Sequence, residues 1–99
     1  MNIGKNKEAI HIIADHFGRE HQAIKAIEEM AELTKELVKD IQGEPRRENI
    51  MEELADVLLM LTQLAYLYGI KDGEYLEIIE IKAKRTLEKI YGGEEKCTK

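Results

Sequence analysis

Apolar side chains follow one another almost without interruption from Leu54 to Tyr68, and on a helix they would cover nearly its whole circumference. A helix that is apolar on every side has to be buried on every side. The stretch is shorter than the roughly 20 residues of a membrane span, and Thr62 and Gln63 interrupt it. Three further helices of a 99-residue chain would not cover it. The segment therefore predicts an obligate homo-oligomer, a homodimer or homotetramer, with no membrane partner.

The rest of the sequence also favours helices, because Ala, Leu, Ile, Glu and Lys are frequent and there is a single proline. Gly18, Gly43 and Gly69 suit helix ends, Pro45 suits the first turn of a helix, and Asp72 suits an N-cap. These signals predict helices at about residues 5–17, 19–42, 45–68 and 73–91.

The predicted connections are short, so neighbouring helices should be antiparallel. The predicted fold is therefore all-α, an antiparallel bundle of about four helices completed by oligomerisation. It would form one domain of residues 1–91, and residues 92–99 would be a polar C-terminal tail.

The second predicted helix has an apolar stripe at three- and four-residue steps, which predicts its buried face. The stripe consists of Ile24, Ile27, Ala31, Thr34, Leu37, Val38 and Ile41. Acids, including Glu36, lie with lysines on the other half, and from this helix alone we interpret them as a solvated face. Arg46 and Arg47, at the start of the third helix, are also predicted to be solvated.

Charge and cysteine usage exclude some classes of function. The net charge of −5 argues against nucleic acid as a partner, because a duplex-binding protein needs a basic face. An acidic chain that binds an anion needs a metal ion or a local basic cluster. Cys97 is the single cysteine, which fits a reducing, cytoplasmic location, and the first residues lack the apolar core of a signal peptide.

Two similar acidic pentapeptides carry the strongest functional signal: EEMAE at 28–32 and EELAD at 52–56. Glu28, Glu29 and Glu32 fall within an arc of about 100° on the second helix, while Glu53 and Asp56 lie one turn apart on the third. If these helices pair in an antiparallel hairpin, the two acidic turns meet at similar depth.

The apolar neighbours of Glu53 and Asp56 make ionised carboxylates costly there unless they are paired or bind a metal. The second helix would add like charges, which raise the pKa of each carboxyl group. Mg²⁺ resolves this conflict because it prefers hard oxygen ligands. The residues therefore favour a Mg²⁺ site, with Mn²⁺ as a substitute, over a network of salt bridges.

The motif Glu28-Glu29-x-x-Glu32, followed after a spacer by Glu53-x-x-Asp56, resembles the signature of the MazG-like, all-α nucleoside triphosphate pyrophosphohydrolases. The resemblance covers about residues 17–90 and implies Mg²⁺-dependent hydrolysis of a nucleoside triphosphate to the monophosphate and pyrophosphate. It implies that Glu29, Glu32, Glu53 and Asp56 bind the metal. Glu28 would orient or deprotonate the attacking water, or bind a second Mg²⁺.

The resemblance also implies phosphate contacts from the fourth helix, where Lys82 and Arg85 match best, and Lys25 is a further candidate. An ordinary charged helix face would look the same at these positions. Two alternatives remain open: phosphoribosyl-ATP pyrophosphohydrolase of histidine biosynthesis, and a non-enzymatic helical interaction protein. His11, His16 and His21 lack the spacing of paired zinc ligands and are interpreted as surface or structural residues. Gln22 either shapes the pocket or is a plain surface residue.

Overall fold

The computed structural model describes residues 4–92, and over this range the protein is all-helical. A short 3-10 turn, Gly4–Asn6, precedes four α-helices. These are α1 (Lys7–Phe17), α2 (Arg19–Ile41), α3 (Arg47–Leu67) and α4 (Asp72–Tyr91). The predicted all-α class with four helices is confirmed. Of the predicted tail, residues 93–99 with Cys97 lie outside the described residues.

Three glycines end the first three helices, as predicted. Gly18, Gly43 and Gly69 have φ angles of 88°, 100° and 68°, which glycine adopts without the steric cost that a Cβ imposes. Pro45 does not lie in the first turn of α3, because Arg46 has non-helical dihedrals of φ −132° and ψ 24° and the helix starts after it. None of the helices in the described range combines the length and apolarity needed to cross a membrane.

The chain groups into two compact units, one ending at Gly69 and the other beginning at Ile70. In the first unit, α2 and α3 form an antiparallel hairpin, and α1 packs against both. Tyr66 of α3 donates a 2.7 Å hydrogen bond to Asp15 of α1, and its ring stacks on His11 with centroids 3.8 Å apart. These contacts fix α1 against α3.

The core of the first unit is small and partly polar. Its buried apolar residues are Ile10, Ala14, Ala26, Val57 and Met60, and its buried polar residues are Gln22, Glu36 and Gln63. The buried polar groups of α2 are therefore one amide and one carboxylate, and α3 contributes a second amide. Hydrogen bonds and ion pairs across the hairpin account for the burial of these groups.

The prediction that the apolar stripe of α2 is the buried face is wrong for the single chain. Ile24, Ile27, Leu37, Val38 and Ile41 of that stripe are exposed. The single chain also leaves α3 partly uncovered, since Leu54, Leu58, Leu59 and Tyr68 are exposed. The physical reason is that α2 packs on α3 through its mixed polar face, which leaves both apolar faces uncovered in the first unit. The burial of α3 in an oligomer stays a prediction.

The second unit contains α4. It begins one residue earlier than predicted, with Lys71 rather than Asp72 as N-cap. Glu74 accepts a 3.0 Å hydrogen bond from the Lys71 backbone N–H, and Tyr75 donates one of 2.9 Å to Asp72. These bonds stabilise the first turn of the helix that carries Lys82 and Arg85.

Candidate metal centre

Three carboxylates meet between α2 and α3. One oxygen from each of Glu29, Glu53 and Asp56 lies within 4.8 Å of the others, and all three side chains are half-buried. Glu29 comes from α2, whereas Glu53 and Asp56 lie one turn apart on α3. The antiparallel hairpin therefore brings one part of each acidic pentapeptide to the same depth. We call these three residues the carboxylate trio.

Glu53 is the most perturbed member of the trio. Its Oε1 has no contact with solvent and no hydrogen-bond partner among the described residues. Burial raises the pKa of Glu53 above its ordinary value, and the charges of Asp56, Glu29, Glu32 and Glu36 raise it further, in that order. A divalent cation would supply the missing partner and reverse the repulsion. The donor set, three hard oxygens from fixed helices, fits Mg²⁺ or Mn²⁺.

Glu32 and Glu28 lie outside the trio. Glu32 is exposed one turn beyond Glu29, and it acts on the trio through its charge, which contributes to the raised pKa of Glu53. Glu28 is also exposed and lines a cleft beside the centre. Their roles as a metal ligand and as a catalytic residue stay predictions.

Lys25 is the basic residue closest in sequence to the trio. Its Nζ lies 3.3 Å from Glu29 Oε2, one turn along α2, and its side chain is about half exposed. A single ion pair whose ammonium partner is half in solvent contributes little to stability, so that ammonium group is available to a phosphate. The other two phosphate candidates, Lys82 and Arg85, belong to the second unit. Their role in binding phosphate stays a prediction.

A buried ion pair near the trio was not predicted from the sequence. Glu36 is 8% exposed, and its Oε1 lies 3.5 Å from Arg46 Nε. Arg46 also pairs with Glu44 at 3.0 Å, and its backbone N–H donates to Asp40 at 3.2 Å. Both Glu36 and Arg46 were predicted to be solvated, which is wrong, because the hairpin folds Arg46 back onto α2. Arg47 is exposed, as predicted.

The available signal for this pair was spacing. Glu36 follows Glu29 by two helical turns, and Glu29 carries the motif, so both lie on the face of α2 that packs against α3. Arg46 sits at the end of the connecting loop, where its long side chain can reach that face. The pair neutralises one acid near the trio and ties the residue before α3 to α2 at the loop end of the hairpin.

Comparison of the chain with protein-family models, with curated proteins and with solved structures found no match. The case for the centre therefore rests on the residues and their geometry. The MazG-like resemblance of the motif stays a prediction.

The raised pKa of Glu53 predicts how the metal-free protein responds to pH. The folded state holds this proton more tightly than the unfolded state, so the stability that Glu53 contributes is lost as the pH rises from its ordinary pKa of 4.5 through its raised pKa in the folded state. Below 4.5 this contribution is fully favourable. We expect the difference in melting temperature, wild type minus Glu53→Gln, to fall as the pH rises across that window in EDTA.

Thermal denaturation monitored by circular dichroism measures this difference. Glu52→Gln, which changes an exposed neighbouring acid, serves as the control and should follow the wild type at every pH. Parallel curves for wild type and Glu53→Gln would contradict the assignment of the shift to Glu53. Saturating Mg²⁺ should reduce the dependence on pH in the wild type.

Proposed function

We propose that the protein is a Mg²⁺-dependent nucleoside triphosphate pyrophosphohydrolase of the MazG-like kind, located in the cytoplasm. The observation that carries the proposal is the carboxylate trio, in which Glu53 Oε1 is buried and has no hydrogen-bond partner among residues 4–92. Structural ion pairs seldom gather three acids around an oxygen that nothing neutralises. The acidic composition adds support, because a chain of net charge −5 binds a polyanion only with help from cations.

In this proposal Glu29, Glu53 and Asp56 hold the metal. When bound, Mg²⁺ neutralises charge on the phosphate oxygens of the substrate. Lys25 exchanges its contact with Glu29 for a phosphate oxygen, which lowers the negative charge there further. Glu28 lies beside Glu29 in the chain, is exposed, and accepts a proton from the attacking water or orients it. The anhydride bond between the α- and β-phosphates breaks, which yields the monophosphate and pyrophosphate.

We also propose that the active form is a homodimer or homotetramer. The exposed apolar side chains of α2 and α3 support this, because monomeric proteins rarely leave large contiguous apolar patches in water. Light scattering of the sample used for assays tests it, since the single chain has a mass of 11.4 kDa. A measured mass of one chain would overturn this part of the proposal.

An assay that detects pyrophosphate separately from orthophosphate tests the reaction. The purified protein is incubated with Mg²⁺ and a panel of ribo-, deoxyribo- and oxidised nucleoside triphosphates, with phosphoribosyl-ATP as a further member. We expect pyrophosphate release that depends on the metal and stops in EDTA. Release of orthophosphate alone, or silence across the whole panel together with no Mg²⁺ binding by calorimetry, would reject the proposal.

A further inference from the structure

A cleft of about 520 Å³ lies beside the carboxylate trio, and α1, α2 and α3 all contribute to its walls. Phe17, Met60 and other apolar side chains form much of its surface, and His21, Gln22 and Gln63 add polar groups. Lys25 and Glu28 line it as well. Lys25 both lines the cleft and contacts Glu29, so this side chain links the cleft to the candidate metal centre.

A chain of hydrogen bonds with a fixed direction runs along the wall of this cleft. It starts at the backbone carbonyl of Leu59, which can only accept, so Gln63 presents its Nε2 there at 3.4 Å. Gln63 Oε1 must then accept from Gln22 Nε2, at 2.7 Å. Gln22 Oε1 is left to accept from His21 Nδ1, also at 2.7 Å. Each bond fixes the orientation of the next group.

The direction of these hydrogen bonds determines the tautomer of His21. Because Nδ1 donates to Gln22, Nε2 of the neutral imidazole carries a lone pair and accepts a hydrogen bond. Gln22 and Gln63 are 4% and 1% exposed, so the two amides have little freedom to turn over. The buried pair thus holds His21 as an acceptor in the lining of the cleft.

The cleft also offers a flat aromatic surface. The rings of Phe17 and His21 are stacked, with centroids 4.9 Å apart and an angle of 18° between their planes. A planar heterocycle that lies in the plane of the His21 ring can stack on Phe17 while its edge meets Nε2, whose lone pair points in that plane. The combination of ring surface, apolar lining and one oriented acceptor is suited to a nucleobase.

The remaining polar groups decide which kind of base fits. Gln63 uses Nε2 on Leu59 and on the Met60 sulfur, 3.7 Å away, and uses its oxygen on Gln22. The proposed reaction uses Glu28 for the attacking water and Lys25 for a phosphate, so among the described side chains of this lining His21 Nε2 is left as an acceptor. An exocyclic amino group has two N–H donors, and it can bind to this lining without a hydrogen-bond donor from the protein.

We propose that the cleft holds an amino-bearing nucleobase, cytosine or adenine, and that His21 is the specificity-determining residue that accepts from its amino group. The inference rests on the proposed function for the nature of the substrate and adds the base preference and the residue responsible. Gln22 and Gln63 are positioning residues, since they act on the base through His21.

Calorimetric binding of hydrolysis-resistant analogues in Mg²⁺ tests the proposal. The probes are the α,β-methylene triphosphates of cytidine and of its analogue without the 4-amino group, and the corresponding pair for adenosine with and without the 6-amino group. We expect the wild type to bind the amino-bearing member of at least one pair about tenfold more tightly, the effect of one good hydrogen bond. Equal affinities within both pairs would overturn the proposal.

His21→Phe is the matched variant, because it keeps a ring for stacking and removes the acceptor. His21 is exposed, so the fold should be retained, and the melting temperature checks this. The preference for the amino-bearing probe should disappear in this variant, and a preference that persists would assign recognition elsewhere. These probes are not hydrolysed, so their binding is measured separately from the hydrolysis of true substrates. If the protein prefers the amino-bearing probes but hydrolyses no triphosphate, the proposed function is wrong and this inference stands. If it hydrolyses triphosphates but shows no such preference, this inference is wrong and the proposed function stands.

Discussion

Replacing Asp56 with Asn is expected to lower Mg²⁺-dependent pyrophosphate release about 1000-fold while the protein stays folded. The change keeps the size of the side chain and removes one negative charge from the carboxylate trio. A bound metal contributes several kcal/mol to the stabilisation of charge in the transition state, and about 1.4 kcal/mol corresponds to a factor of ten in rate. Steady-state rates over a range of Mg²⁺ concentrations measure the effect.

The same substitution distinguishes the proposed catalytic role of the acids from a purely structural role. In the metal-free protein Asp56→Asn removes a repulsion on Glu53, so its melting temperature in EDTA should equal or exceed that of the wild type. Glu52→Gln changes an exposed acid on the same helix and should keep full activity. If Asp56→Asn retained wild-type turnover at all Mg²⁺ concentrations, the trio would not be the metal site.

Replacing Arg46 with Ala is expected to destabilise the protein by about 3 kcal/mol, the lower end of the range for breaking a buried ion pair. Glu36, 8% exposed, would lose the guanidinium that lies 3.5 Å away and be left buried without a cationic partner. The lower end applies because about a quarter of the Arg46 side chain is exposed. Chemical denaturation at fixed protein concentration measures this change in the free energy of unfolding.

Arg47 provides a matched control in the next position. Its side chain is 82% exposed and its partner Glu48 is 80% exposed, so Arg47→Ala should change stability by less than about 0.5 kcal/mol. A double change, Glu36→Gln with Arg46→Met, should recover most of the loss, because it removes both charges together. Equal effects of Arg46→Ala and Arg47→Ala would show that the buried pair contributes nothing.

The sequence predicted the helices well because their limits depend on local chemistry. Gly18, Gly43 and Gly69 end helices through their own backbone conformations, which need no information from the rest of the chain. The start of α3 was less accurate, since Arg46 is held outside the helix by Asp40, Glu36 and Glu44. Contacts of this kind form only once the hairpin has closed.

The part of the candidate site that depends on spacing within each helix could be predicted, whereas the part that depends on how the helices pack could not. Helical spacing placed Glu29, Glu53 and Asp56 on facing turns, and the structure brings them together. Helical spacing alone could not show that α2 packs on α3 through its polar face. The stripe from Ile24 to Ile41 is more apolar and was therefore predicted to be the buried face. Whether Gln22 shapes a pocket or lies on the surface stayed open for the same reason, because its hydrogen bond to Gln63 forms only when the hairpin pairs the two helices.

The hairpin of α2 and α3 carries the whole carboxylate trio on one continuous piece of a single chain. This arrangement determines the expected ratio of metal ions to chains. Whatever number of copies assemble, each copy brings its own complete trio, so the number of metal centres must scale with the number of chains. A calorimetric titration should therefore saturate at a whole number of Mg²⁺ ions per chain, in the dimer and the tetramer alike, and a value of one ion per two chains would mean that the trio is not the centre.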